Sequence, residues 1–309
     1  MIEILLASYN GEKYIREQIM SVVNQSYSDW HLTVCDDCSK DKTVEIVKSL
    51  CQQYPDKITL KVNKENSGSA SGNFYSMLIE SSGAKYIMLC DQDDVWDKDK
   101  VKVTKLAMDR MEERYGKNIP LLVHSDLRVV DEKLEEISSS MFFTQNLKGS
   151  DISFANQLCQ NSVTGCTVMV NKTLLAFVKK KPDKMIMHDW WLALIAAAFG
   201  RIGFINTPLI SYRQHSSNQE GAKDFRSFGK TVEMAGKGAK IRNSLNLTYE
   251  QAVSFRDMYG GRLNARNREI LNAYCDFPKY SKIKKLTISI KYGFTKSGLN
   301  RKIGYWLYV

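Results

Sequence analysis

Short apolar runs that stop on polar clusters, each followed by a segment of helical periodicity, recur along the first third of the chain. Ile2-Glu3-Ile4-Leu5-Leu6-Ala7 reads as a buried strand that ends at Ser8-Tyr9-Asn10-Gly11, a turn-forming cluster. Tyr14, Ile15, Ile19, Val22 and Val23 then follow at helical spacing to about Asn24. His31 to Cys35 predicts a second strand that stops on Asp36 and Asp37, with Ser39 and Asp41 as caps for a helix carrying Val44, Ile46, Val47 and Leu50. Ile58 to Val62 predicts a third strand, and the turn-rich run Asn66 to Asn73 opens a helix to about Ser81. The apolar run Tyr86 to Cys90 halts on Asp91-Gln92-Asp93-Asp94, and a charged helix starts near Asp99. Strands alternating with helices predict an α/β fold with a mostly parallel sheet flanked by helices.

In such sheets ligands collect outside the carboxyl ends of the strands. Three strands here end in ligand-like residues: Ser8, Tyr9 and Asn10; Asp36 and Asp37; Asp91, Asp93 and Asp94. Three acids within four residues repel one another, and a hard divalent cation with oxygen ligands, Mg²⁺ or Mn²⁺, is their natural partner. The dinucleotide fingerprint is absent, since Ser8 to Lys13 holds one glycine where three are needed. A G-x-x-x-x-G-K-[ST] phosphate loop is absent too.

The motifs, taken together, carry a resemblance. Leu6 to Ile15 with Ser21 to Tyr27 resembles the opening of the family 2 glycosyltransferases, and Cys35 to Thr43 is similar to their D-D-x-S-x-D-x-T segment. Asn66-Ser67-Gly68 resembles their N-x-G, and Asp91 to Asp94 their D-x-D-D. Downstream, Gly165 to Asn171 looks like their acceptor-side strand, and His188-Asp189-Trp190-Trp191 sits where they keep a catalytic carboxylate. Tyr212-Arg213-Gln214-His215-Ser216-Ser217-Asn218 resembles the Y-R-x-H-x-x-N element of bacterial polysaccharide enzymes, rhamnosyltransferases in particular. Cys38 departs from the pattern, standing beside the donor-base pocket where glycine or asparagine is commoner.

The resemblance covers about residues 1–220 and implies a GT-A fold, a nucleoside-diphosphate sugar donor and an inverting, metal-dependent transfer. Asp189 is then the expected base, helped by desolvation against Trp190 and Trp191, and Asp91 and Asp93 are the expected catalytic carboxylates at the donor, Asp93 on the metal ion and Asp91 near the ribose or the ion. Asp93 and His215 are the expected metal ligands. Ser8, Tyr9, Asn10, Asp36, Asp37, Asn66, Gly68, Asp91, Gln92 and Arg213 are expected on the donor, and Asp94, Trp190 and Trp191 on the acceptor. The expected reaction moves rhamnose from dTDP-rhamnose to a lipid-linked saccharide in surface polysaccharide synthesis, such as capsule or cell wall. A UDP-hexose transferase is the alternative within the fold; a non-catalytic nucleotide-sugar or carbohydrate-binding module is the alternative outside it.

Charge adds a second theme. From Gly221 onward there are 18 Lys and Arg against 6 Asp and Glu, whereas the first 220 residues carry 26 against 28. Residues 221–309 are therefore read as a basic, mostly helical region beside a 1–220 catalytic domain. Ile283, Leu286, Ile290 and Phe294 recur at near-helical spacing beside Lys284, Lys285 and Lys291, the pattern of a helix lying at an anionic membrane surface. The same pattern also suits a helix packed on the catalytic domain with a solvated basic face. The N-terminal run lacks a basic lead, and no apolar run reaches the ~20 residues of a membrane span, so a cytoplasmic, peripheral-membrane protein is expected. The tail lacks aromatic-basic interleaving and zinc or helix-turn-helix signatures, which argues against a specific nucleic-acid partner. Seven irregularly spaced cysteines predict no disulfide framework, and Cys35-x-x-Cys38 has no second pair to complete a metal site.

Overall fold

The computed structural model describes residues 1–309 except 82, 148, 151 and 216–237. The first half alternates β1 (Ile2–Ser8), α1 (Ile15–Val23), β2 (Trp30–Asp36), α2 (Thr43–Gln53), β3 (Ile58–Val62), α3 (Ala70–Glu80) and β4 (Tyr86–Cys90). These four strands are parallel in the order β3-β2-β1-β4, each joined through a crossover helix. Beyond β4 come β5 (Val95–Trp96), α4 (Lys100–Tyr115), β6 (Leu121–Val130), β7 (Glu136–Ser138), α5 (Met141–Thr144), α6 (Phe154–Cys159), β8 (Met169–Asn171), α7 (Lys172–Leu175), α8 (His188–Phe199) and β9 (Arg201–Arg213). The sheet becomes mixed here: β8 runs antiparallel to both β4 and β6, β9 parallel to β6, and β5 antiparallel to β9.

Alternation along the buried strands divides the core in two. Leu5, Ala7, Ile87 and Leu89 point to one face, where they meet α3 and α8; Ile4, Leu6, Met88 and Cys90 point to the other, against α1 and α4. The first face is also covered by α9 (Gly238–Tyr259), α10 (Ala265–Cys275), α11 (Lys282–Tyr292) and α12 (Leu299–Tyr308). Phe255 of α9 meets Trp191 of α8 edge-on with ring centroids 5.3 Å apart, and Tyr259 donates to the Phe177 carbonyl at 2.8 Å. The proposed division at residues 220 and 221 falls outside the described residues.

The expected cap of α2 differs in detail. Lys42 occupies the capping position with no side-chain bond, while Ser39 turns back to Asp36. Asp41 accepts instead from the amides of Glu12 and Thr43, tying the turn after β1 to the start of α2.

Candidate active site

The carboxyl ends of β1, β2 and β4 open into a cavity of about 1380 Å³, closed on its far side by α3 and the start of α8. Ser8, Tyr9, Asn10, Asp37, Asn66, Gly68, Asp91, Gln92, Asp93, Asp189 and His215 all line it, so the predicted donor face and the predicted base share one space.

The β1 turn is clamped rather than free. Gln92 accepts from the Tyr9 amide at 2.9 Å and donates to the Tyr9 carbonyl at 3.1 Å. Asn10 adopts φ 48°, a left-handed conformation that asparagine tolerates, and its side chain accepts from the Lys40 amide. Cys38 sits at φ 68°, which explains why glycine or asparagine suits that position better. Asp37 accepts from Asn63 and from the amide and hydroxyl of Ser67, each at 2.8 Å, which fixes the Asn66-Ser67-Gly68 turn over the cavity. Gly68 takes φ 82° there, where a side chain would be strained.

Carboxylates gather at the floor. Burial, then the charges of Asp93 and Asp189, push the Asp91 carboxyl well above the ordinary carboxylate range. Asp189 lies in the first turn of α8, where Met187 rather than Asp189 is the capping residue. Its Oδ1 accepts from the Trp190 amide at 2.6 Å and from Asn161 Nδ2 at 3.1 Å. His215 Nε2 stands 2.9 Å from Asp93 Oδ2 at the rim, its ring 5.1 Å from that of Tyr14.

Five expected residues do not face the cavity. Asp36 is fully buried and its carboxylate is taken by Ser8 Oγ at 3.0 Å and by the Ser39 amide and hydroxyl at 2.8 and 2.5 Å. Asp94 is also fully buried, accepting from the Arg213 amide, with its carboxyl pushed up by burial and by Asp93 and Asp91. Arg213 reaches away from the donor space: its guanidinium donates to the Asp93 and Glu132 carbonyls and to Glu17, and stacks over Tyr14. These bonds tie it to the acidic loop rather than to the cavity. Trp191 is fully buried among Phe255 and Tyr259, and Trp190 donates its indole N–H to the Gln157 carbonyl at 2.6 Å. Trp191 is a core anchor and Trp190 is half-buried against that core, and neither lines the cavity as the desolvating wall expected beside Asp189. Ser216, Ser217 and Asn218 lie outside the described residues.

Residues 3–146 match the family model described as glycosyl transferase family 2. The chain carries a family 2 glycosyltransferase domain. Among curated proteins it is 29% identical over 230 residues to the dTDP-rhamnosyl transferase RfbG of Shigella flexneri, covering 70% of this chain and 74% of that one. It is 26% identical over 226 residues to the UDP-Glc:alpha-D-GlcNAc-diphosphoundecaprenol beta-1,3-glucosyltransferase WfgD of Escherichia coli, covering 71% of this chain and 79% of that one. Among solved structures, Staphylococcus aureus TarS 1–349 in complex with UDP superposes with TM-score 0.55 at 15% identity, over 95% of this chain and 92% of that one. The mixed α/β sheet is thus a GT-A glycosyltransferase fold.

Among the described residues of this glycosyltransferase, two groups offer metal ligands. Asp91, Asp94 and Cys166 have ligand atoms within 4.8 Å of one another, but this cluster is walled off from the cavity at Asp94 and Cys166. Lys100, fully buried behind it, already supplies a positive charge nearby, although burial lowers its pKa to about 8. Asp93 and His215 present an oxygen and an imidazole nitrogen at the cavity rim, a donor pair that suits Mn²⁺ or Mg²⁺ in reach of a phosphate.

His188 carries no role in the motif reading. It lines the cavity beside Asp189, stacks on Phe74 at 4.3 Å, and neither ring nitrogen has a protein partner. Asn161 escaped notice as well, because a lone asparagine in a loop gives no sequence signal for its bond to Asp189.

Proposed function

We propose that the enzyme is an inverting, metal-dependent glycosyltransferase that moves rhamnose from dTDP-rhamnose to a lipid-linked saccharide during bacterial surface polysaccharide synthesis. The reading rests on one observation: Asp91 and Asp93 from the end of β4, Asp37 from the end of β2 and Asp189 from α8 line a single cavity. The relative RfbG, a dTDP-rhamnosyl transferase by name, supports the donor, and WfgD, named for a diphosphoundecaprenol-linked substrate, supports the acceptor. The enzyme works at the inner face of the cell membrane, with residues 221–309 as the membrane-facing basic region beside the 1–220 catalytic domain.

The base and sugar of the donor lie along Ser8, Tyr9, Asn10, Asp37, Asn66 and Gly68, with Asp91 and Gln92 beneath the ribose. A Mg²⁺ or Mn²⁺ ion held by Asp93 and His215 would neutralise charge on the leaving diphosphate. Asp189 takes the proton from the acceptor hydroxyl as its oxygen attacks the anomeric carbon on the face opposite the diphosphate, and that single displacement inverts the centre. Asn161 and the Trp190 amide hold the Asp189 carboxylate in line. Arg213 keeps the Asp93 segment in place from behind.

The test is nucleoside diphosphate release from dTDP-, UDP- and GDP-sugars with Mn²⁺ and an isoprenoid-diphosphate-linked saccharide. Release from dTDP-rhamnose, lost with a chelator, is expected. Asp189→Asn should lower turnover by roughly 10²–10⁴-fold while the thermal shift on donor binding is retained. Turnover of a UDP-hexose instead selects the runner-up donor. Donor binding with no turnover on any acceptor leaves a binding module and defeats the proposal.

A further inference from the structure

A second groove, of about 530 Å³, adjoins the catalytic cavity and shares Leu147, Gln160 and Ser162 with it. Its outer wall is built by the segment entering α12. Ser297 donates its amide to Gln160 Oε1 at 2.7 Å, which fixes this segment to the strand-end side of the molecule. Lys296 and Lys302 line the groove, and no acidic residue does so among the described residues. Among the described residues neither lysine's ammonium group has a hydrogen-bond or ion-pair partner, their bonds to Gly298 and Thr295 being made by the backbone. Burial lowers the Lys296 pKa, with Cys159 acting against that shift and the neighbouring Arg301 with it.

Leu299 also lines the groove, and it begins an apolar stripe. Leu299, Ile303 and Leu307 recur every four residues along one face of α12, and they are 71%, 47% and 47% exposed. Tyr305, on the opposite face, is buried and its hydroxyl lies 3.9 Å from Cys159 Sγ of α6. On α11, Ile283 and Ile290 lie two turns apart and are 80% and 72% exposed. So many large aliphatic side chains in water, beside unneutralised lysines, mark a surface that is covered in use.

We propose that this groove holds the diphosphate of the lipid-linked acceptor, between Lys296 and Lys302, while its isoprenoid chain leaves along the Leu299-Ile303-Leu307 face into the membrane. The proposal rests on the lipid-linked acceptor reading and assigns where that acceptor's anionic and apolar parts sit. The saccharide then extends past Gln160 and Ser162 into the catalytic cavity, so the groove measures the distance from membrane to reaction centre. Charge complementarity selects this occupant: a neutral lipid offers nothing to the lysines, and a free anion offers nothing to the stripe.

The test is flotation of the full chain with phosphatidylcholine vesicles carrying either a long-chain isoprenyl diphosphate or phosphatidylglycerol at equal negative charge. The wild type should favour the isoprenyl diphosphate vesicles. Lys296→Gln with Lys302→Gln should remove that preference, with binding weakened roughly 25-fold, since each lysine at an anionic headgroup contributes roughly fivefold. Leu299→Ser with Ile303→Ser should release the protein from both vesicles. Retention of the nucleotide-donor thermal shift in both variants shows that they fold. Equal binding to the two vesicles, no binding, or an unchanged preference in the lysine variant each overturns the groove assignment. Failure of the acceptor reading looks different: the wild type keeps its vesicle preference yet transfers no sugar to an isoprenoid-diphosphate-linked saccharide.

Discussion

At the scale of single residues, the acids were legible as a set but not one by one. Apolar runs that stop on aspartates say where carboxylates gather; they do not say which way each one turns. Successive residues of an extended chain point to opposite faces, so Asp36 and Asp37 cannot both look into the cavity. Asp37 does so, and Asp36 is spent on Ser8 and Ser39. The same logic separates Asp93 from Asp94, which is buried under the Arg213 amide. Arg213 stands apart from the expected donor face for another reason: a guanidinium suits phosphate, but it equally suits backbone carbonyls, and the Asp93 and Glu132 carbonyls and the Glu17 carboxylate all engage this one. A glycine tests the clamp that holds the β1 turn. A Cβ on Gly11 would lie 2.3 Å from Gln92 Oε1. That atom ends a flexible side chain, so Gly11→Ala should cost little stability, but the displaced amide must release the Tyr9 backbone. The expected result is a donor KM raised on the order of tenfold, from the loss of about two hydrogen bonds of ordering, with kcat for bound donor nearly unchanged and the melting temperature close to the parent's. An unchanged donor KM would show that the clamp does not order the donor face.

At the scale of elements, the strand and helix pattern from β1 to β4 was readable because β1, β2 and β4 are buried along nearly their whole length and each crossover helix is amphipathic. In the mixed half the pattern was not readable for β5 and β7, which are two and three residues long and carry no periodicity of their own, and β8 was signalled by the family resemblance of Gly165 to Asn171 alone. Helix α8 shows how one element serves two masters. Asp189 and Trp191 are two residues apart, which on a helix is about 200°, so a carboxylate facing the cavity puts the tryptophan in the core. The expectation that Trp191 stacks on the acceptor failed on that angle. Trp191 is fully buried against Phe255 and Tyr259, so Trp191→Ala should destabilise the fold by roughly 3–5 kcal/mol. Urea unfolding measures the loss. The acceptor KM of the folded fraction should stay within about twofold of the parent's, because a removed ring in the core takes no substrate contact with it. A large rise in acceptor KM with little loss of stability would return Trp191 to the acceptor.

At the scale of the molecule, two cores on opposite faces of one sheet each enclose a neutral histidine, and this sets how the fold responds to acid. His188 stacks on Phe74 in one core; His124 lies between Phe142 and Phe204 in the other, with Nε2 3.2 Å from the Gly149 carbonyl. Burial lowers both pKa values from 6.5, to about 4 for His124 and about 3 for His188. Between the folded and unfolded values the unfolded chain binds the extra proton, so stability is full above pH 6.5 and falls as the pH drops toward 4. For His124 the loss at pH 5 is about 2 kcal/mol by linkage. Asp91 and Asp94, whose carboxyls are raised in the fold, act with the opposite sign, but their contribution cancels when a variant is compared with its parent at the same two pH values. His124→Gln keeps a donor for the Gly149 carbonyl and cannot titrate. Its stability at pH 7 should be somewhat lower for lost packing, yet its further loss between pH 7 and pH 5, read from urea unfolding, should be smaller than the parent's by about 2 kcal/mol. An equal loss in both proteins would mean that His124 takes up its proton without opening the core between β6 and α5.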